Sequence, residues 1–148
     1  ARRLVATPRR ARCAGCSRTH VILPGELVPR RADSAEVIGQ ALVDKARGAG
    51  WRTIAARTGS APSTVRRWLR SARGAHVDWL FQRGIQTALR LDGESVSAWT
   101  QPRDPLVAAL DILLRAADAY RRRFHPDPLW SLVNVFTGGF LLAPPQRR

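Results

Sequence analysis

Lysine is almost missing from this chain of 148 residues: Lys45 stands alone, and nearly all the cationic charge is arginine. Acids are scarce too, with 11 Asp+Glu against 25 Lys+Arg, a formal net charge of +14 and a pI near 11.8. A GC-rich coding sequence accounts for arginine in place of lysine, but not for the shortage of acids. An excess of this size points to a polyanionic partner, because each neutralised phosphate releases a counterion. By itself it does not choose DNA over RNA. Long apolar runs are also lacking: no stretch approaches the roughly 20 residues of a membrane-spanning helix, and no signal peptide is visible. The expected location is therefore the cytoplasm, in association with the nucleoid and not with a membrane. Only two cysteines occur, Cys13 and Cys16, too few for a disulfide framework. The catalytic signatures are missing as well: there is no Gly-rich phosphate loop, no Ser/His/Asp set and no nucleophilic cysteine context.

What is there is concentrated in Trp51 to Arg70, WRTIAARTGSAPSTVRRWLR. Ile54, Ala55, Val65, Trp68 and Leu69 would bury one side of each of two short helices. Gly59 lies between them, where the chain turns and a residue tolerant of positive φ is wanted. Pro62 suits the first turn of the second helix, where its missing N–H would be unpaired anyway. The outward side then carries Ser63, Thr64, Arg66, Arg67 and Arg70. Hydroxyls followed by arginines suit a major groove, since arginine pairs bidentately with guanine. Arg52, at the start of the first helix, joins these as an expected DNA contact. Ala61 stands where a Ser or Thr cap would be usual before Pro62. Taken alone, the stretch also fits a helical hairpin with a solvated basic face.

With 45% hydrophobic residues, the chain can build a core, in one or two small domains. Residues 1–28 read as β-structure, with strand character at Arg3–Thr7 and again at Thr19–Leu23 before Pro24-Gly25. Residues 33–74 form the helix-turn-helix unit. Its first helix opens at Asp33-Ser34-Ala35-Glu36, a capping box with Asp33 as cap, followed by the stripe Val37, Ile38, Ala41, Leu42 and Val43. Residues 75–142 are a helical C-terminal region. One face carries Val77, Leu80, Phe81, Ile85, Ala88 and Leu89. Pro105 then opens a second helix with Leu106, Leu110, Leu113, Ala117, Tyr120 and Phe124, ending in Arg121-Arg122-Arg123, where the helix dipole favours cations. Leu129 to Phe136 is a last apolar segment, and the tail from Ala143 should be loose. The apolar C-terminal region is expected to be either a dimerisation surface or the second half of a monomeric core. Trp51 and Trp68 are assigned to the core of the helix pair. Trp79, Trp99 and Trp130 are assigned to core or subunit contacts. The fold class is therefore mainly α: a three-helix core, a short N-terminal β segment and helices beyond.

Cys13 and Cys16, in an arginine-rich strand-turn-strand setting, look like a zinc knuckle, whose spacing lets two thiolates reach one tetrahedral ion. His20 is a candidate third ligand. Free surface thiols are the alternative. A redox pair lacks its βαβ context. Zinc is thus the one cofactor in view, as a half-site.

Larger units carry a resemblance. The residues are Arg12-Cys13-Ala14-Gly15-Cys16-Ser17-Arg18-Thr19-His20 running into Val21-Ile22-Leu23-Pro24, then Asp33 to Gly39, the helix-turn-helix itself, and Val133 to Ala143 at the end. With these the chain resembles a family of actinobacterial proteins that join an N-terminal zinc ribbon to a helix-turn-helix, often beside or within transposition systems. It is also similar to the N-terminal DNA-binding regions of insertion-sequence transposases. The resemblance implies DNA binding, a link to transposition or its regulation, a transposase as partner, and a further Cys pair upstream of Ala1. The chain begins with Ala and already in mid-pattern, so it is expected to be N-terminally truncated.

An enzyme is not expected. Phosphoryl-transferring transposases need three carboxylates around two metal ions. Asp111 and Asp118 share a face of one predicted helix, but beside Arg115 they read as a solvated, salt-bridged stripe. The function expected is sequence-specific binding of double-stranded DNA, with Ser63, Thr64, Arg66, Arg67, Arg70 and Arg52 as contacts. A homodimer would suit paired half-sites. The alternatives are a structured-RNA binder, a non-catalytic interaction subunit of a transposition complex, and a gene remnant without present function.

Overall fold

The computed structural model describes residues 5–143. Those residues form seven helices and one two-stranded antiparallel sheet. β1 (Arg9–Arg12) pairs with β2 (Thr19–Ile22), placing Arg12 opposite Thr19 and Arg9 opposite Ile22. The first expected strand has moved downstream: Arg3 and Leu4 lie outside the described residues, and Val5 to Pro8 have no regular structure. Every residue of both strands is exposed. No buried face therefore selects the apolar Leu4-Val5-Ala6 run, and the turn at Cys13–Arg18 sets which residues pair.

α1 (Ala35–Ala46) starts one residue later than a cap at Asp33 would put it. Ser34 is the cap, accepting from the Val37 N–H at 3.3 Å. Glu36 is then the second helical residue and cannot close the reciprocal box. The Asp33 carboxylate instead accepts from the Ser60 hydroxyl at 3.1 Å, tying the α1 entry to a turn 27 residues away. α2 (Trp51–Thr58) and α3 (Pro62–Ser71) follow, and both pack on α1. Ile38, Leu42, Ile54, Val65 and Trp68 are buried together.

α4 (Ala75–Leu91) and α6 (Pro105–Arg123) make the most extensive helix contact. They run in the same direction: Gly84 meets Ile112 and Leu113 near their middles, and Asp92 meets Arg122 (3.3 Å) at their ends. The segment between includes a short helix α5 (Gly93–Ser97) capped by Asp92. It then carries the chain back along the pair. Trp99 packs against Phe81 and donates its indole N–H to Asp111 at 2.7 Å. Leu89 departs from its expected place on the buried face. It is 52% exposed, because it points one position around the helix from Ala88, past the edge that α6 covers.

α7 (Leu129–Phe136) closes the structure. Its Trp130, Leu132 and Val133 join Val28, Ile38, Leu42, Trp68, Leu80, Leu113, Leu141 and Leu142 in one hydrophobic cluster. Of the two roles considered for the apolar C-terminal region, its residues take that of core partner to α1–α3. Asn134 anchors the strand-to-helix connection, donating to the carbonyls of Gly25 (2.9 Å) and Leu27 (3.0 Å). Phe124, by contrast, caps α6 in the open at 59% exposure, leaning on Tyr120. No helix among the described residues is long and apolar enough to cross a membrane.

Two positions generate predictions. At Gly39 of α1, a Cβ would lie 2.0 Å from Cδ2 of Trp130, so α1 and α7 touch only because this residue lacks a side chain. Gly39→Ala forces the indole out of its slot and should cost about 1–3 kcal/mol of stability or more. Urea unfolding checks this; an unchanged midpoint would refute the packing. His76 is 5% exposed, stacks on Trp79, and donates Nε2–H to the Leu141 carbonyl at 3.1 Å. Burial holds its pKa below the ordinary 6.5, against a smaller opposite effect of that hydrogen bond. Above 6.5 both folded and unfolded imidazoles are neutral, and stability is full. As pH falls through 6.5 the unfolded chain binds the proton first, so stability drops until the folded-state pKa is passed. Thermal midpoints measured from about pH 7.5 to 5.5 should fall, and His76→Gln should flatten that fall.

Candidate nucleic-acid interface

The helix pair is built by local chemistry. Gly59 caps α2 in the left-handed region at φ 70°, its N–H donating to the Ala55 carbonyl at 3.0 Å. The Thr58 hydroxyl donates to Ile54 O (2.9 Å) and accepts from the Ser60 N–H (3.4 Å), which stiffens the exit from α2. Pro62 occupies the first turn of α3, and Ala61 provides no side-chain cap. Val65, Trp68 and Leu69 face inward and are buried. Ser63, Arg66, Arg67 and Arg70 are exposed, and Thr64 is half-buried. All five outward residues singled out on this segment thus lie on one helix, on the side away from the core. Arg52 is exposed at the start of α2. Between α2 and the start of α3 lies an open cleft of about 510 Å³, lined by Trp51, Arg52, Ala55, Ala56 and Gly59 to Pro62.

Trp51 packs against the core cluster as expected, but it is only partly buried. Its indole stands at the first position of α2. Two guanidinium groups lie over that ring: Arg52 at 4.9 Å and Arg66 of α3 at 5.3 Å from its centroid. Trp68 alone of the pair fills the core, at 1% exposure.

A residue missed by sequence reasoning locks the pair in place. Asp44 of α1 is only 4% exposed; it accepts from Gln40 Nε2 at 3.2 Å and pairs with Arg57 of α2 at 3.4 Å. Its signal was present, as a carboxylate directly after the apolar run Ala41-Leu42-Val43, but its partner lies on another helix and only the fold brings it near.

The cysteine turn is preorganised. The Cys13 N–H donates to Arg18 O and the Ser17 N–H to Cys13 O, both at 2.9 Å, with Ser17 at φ 56°. The Cys13 thiol is held below its ordinary pKa of 9.0 by the Cys16 backbone N–H first, then by the Cys16 side chain and the Gly15 backbone N–H. Donors aimed at a sulfur favour the thiolate, the form that binds metal. Both thiols are free and exposed. Among the described residues no third His, Cys, Asp or Glu joins them. His20 sits on β2 opposite Ala11, exposed, and does not converge on the thiols.

The carboxylates on α6 are committed elsewhere. Asp111 pairs with Arg115 (3.1 Å) and accepts from Trp99, and Asp118 pairs with Arg122. This is the salt-bridged stripe expected from their spacing.

Residues 3–68 are similar to a domain of unknown function, DUF6431. The similar segment covers the hairpin, α1, α2 and α3 as far as Trp68, less than half of the chain. No curated protein and no solved structure matches the chain.

Asp44→Ala removes the carboxylate that joins α1 to α2. Because Arg57 is 60% exposed and can rehydrate, the loss should be modest, about 1–2 kcal/mol of unfolding free energy. Denaturant titration of the single variants and of the Asp44→Ala/Arg57→Ala double variant isolates the pair; strictly additive effects would show that it does not couple the helices.

Proposed function

We propose that this protein binds double-stranded DNA in a sequence-specific manner, with α2 and α3 acting as a helix-turn-helix and α3 as the helix that enters the major groove. One observation supports this above the others. α3 buries Val65, Trp68 and Leu69 while presenting Ser63, Arg66, Arg67 and Arg70 to solvent from a rigid support. A helix of this kind offers bidentate donors for guanine and hydroxyls for phosphates or bases. The net charge of +14 supplies the non-specific electrostatic share of the affinity. In this reading Arg52, Arg67 and Arg70 take phosphates, and Thr64 and Ser63 contact the backbone or bases near the start of α3. The protein binds without chemistry of its own, and its role is transcriptional regulation or the recognition step of a transposition system. The genomic context of its sites decides between the two roles.

The test is selection of bound duplexes from a random pool, followed by affinity measurements on the selected and scrambled sequences across a salt series. Arg67→Ala and Arg70→Ala should weaken binding to both sequences alike and lower the salt slope by about 1 each. Arg66→Ala should cost about 1–3 kcal/mol on the selected site. Preference for hairpin RNA over duplex DNA in direct competition, or absence of binding at physiological salt, would overturn the proposal.

A further inference from the structure

α3 carries three outward arginines, yet they are not held alike. Of these three, Arg66 alone lies over an aromatic ring among the described residues, with its guanidinium carbon 5.3 Å from the centroid of Trp51. Arg67 and Arg70 are exposed and make no side-chain hydrogen bond or ion pair among those residues. The difference bears on what each can do. A phosphate accepts an arginine from many directions, so a mobile side chain serves. A guanine edge demands one in-plane fork at O6 and N7, and reaching it from a free rotamer ensemble costs entropy. An aromatic face fixes the guanidinium plane by cation–π attraction while leaving its N–H donors unpaired and pointing outward.

We propose that Trp51 is a positioning residue that holds Arg66 as the base-reading arginine of α3, while Arg67 and Arg70 are phosphate clamps. The proposal rests on the DNA-binding reading above and adds to it the division of labour among the three arginines. Trp51 suits the role because it belongs to α2, not α3. Its half-buried ring is fixed by the core on one side and open to α3 on the other. The Arg52 guanidinium, 4.9 Å from the same centroid, makes the ring a shelf for two cations that would otherwise repel. In the free protein the ring quadrupole attracts both guanidinium groups and offsets part of their mutual repulsion.

The experiment compares wild type, Trp51→Leu, Trp51→Phe, Arg66→Ala and the Trp51→Leu/Arg66→Ala double variant on selected and scrambled duplexes. In the free proteins, proton NMR first reads the ring-current shift on the Arg66 Hδ and Hε resonances. That shift should be present in wild type and Trp51→Phe and lost in Trp51→Leu, and this measurement needs no DNA. Trp51→Leu should lower the ratio of selected to scrambled affinity by about two- to fivefold, the scale of an exposed cation–π contact, with scrambled binding unchanged. Arg66→Ala should lower that ratio by about tenfold or more, the double variant should fall no further than Arg66→Ala, and Trp51→Phe should restore most of the loss. Equal loss on both duplexes, additive losses in the double variant, or no ring-current shift in wild type would each overturn the positioning role. A wild-type ratio near one would instead overturn sequence-specific reading as a whole, and the NMR result would then stand as a structural contact only.

Discussion

The inward face of α3 is the constraint on which the rest of the architecture turns. Val65, Trp68 and Leu69 are all but withdrawn from water, and a fully buried side chain of this size contributes roughly 1.5–3 kcal/mol. A ten-residue helix has little stability of its own, so its place is decided by what covers that face. Here the cover comes from α1 and α2, with Ile38, Leu42 and Ile54 buried in the same cluster, which continues to Leu80 of α4 and to Trp130 and Val133 of α7. Once the apolar side is committed, the 3.6-residue period leaves the arginines no position but outside.

That geometry gives meaning to the unusual composition. Arginine, unlike lysine, is planar, stacks on aromatic rings and offers a rigid fork of donors. The chain uses these properties in two ways. On α6 two of the four arginines pair with acids, Arg115 with Asp111 and Arg122 with Asp118 and Asp92. On α3 they do not, and Arg66 alone is steadied, by a ring and not by a carboxylate. Uncompensated cations on a rigid, outward helix are what a polyanion needs, and the proposed reading of DNA follows from where the acids are not.

The hairpin stands apart from this economy. Its strands bury nothing, so the Cys13–Arg18 turn and its backbone hydrogen bonds carry its shape. Donors directed at the Cys13 sulfur favour its thiolate form. The similarity to DUF6431 spans this hairpin and the helices up to Trp68, which marks the two as parts of one recurring unit.

Local rules were enough to read much of this from the residues. Helical periodicity and the turn chemistry of Gly59 and Pro62 determined α2, α3 and their two faces, and the same periodicity located α1, α4, α6 and their apolar stripes. Where sequence reasoning failed, a distant partner had intervened. Ser34 displaced Asp33 as cap because Asp33 is engaged by Ser60. Leu89 fell outside the core because the breadth of the α4 face is set by how closely α6 approaches at Gly84. The buried Asp44 was invisible without Arg57, and Trp51 could not be seen as a shelf for Arg66 until α2 and α3 were folded together. The sequence by itself therefore determined which segments are helices and which sides are apolar, since those depend on neighbours within a turn or two. Only the tertiary structure decided which polar groups meet and which aromatic stays open, because those depend on contacts whose register is set by whole helices packing.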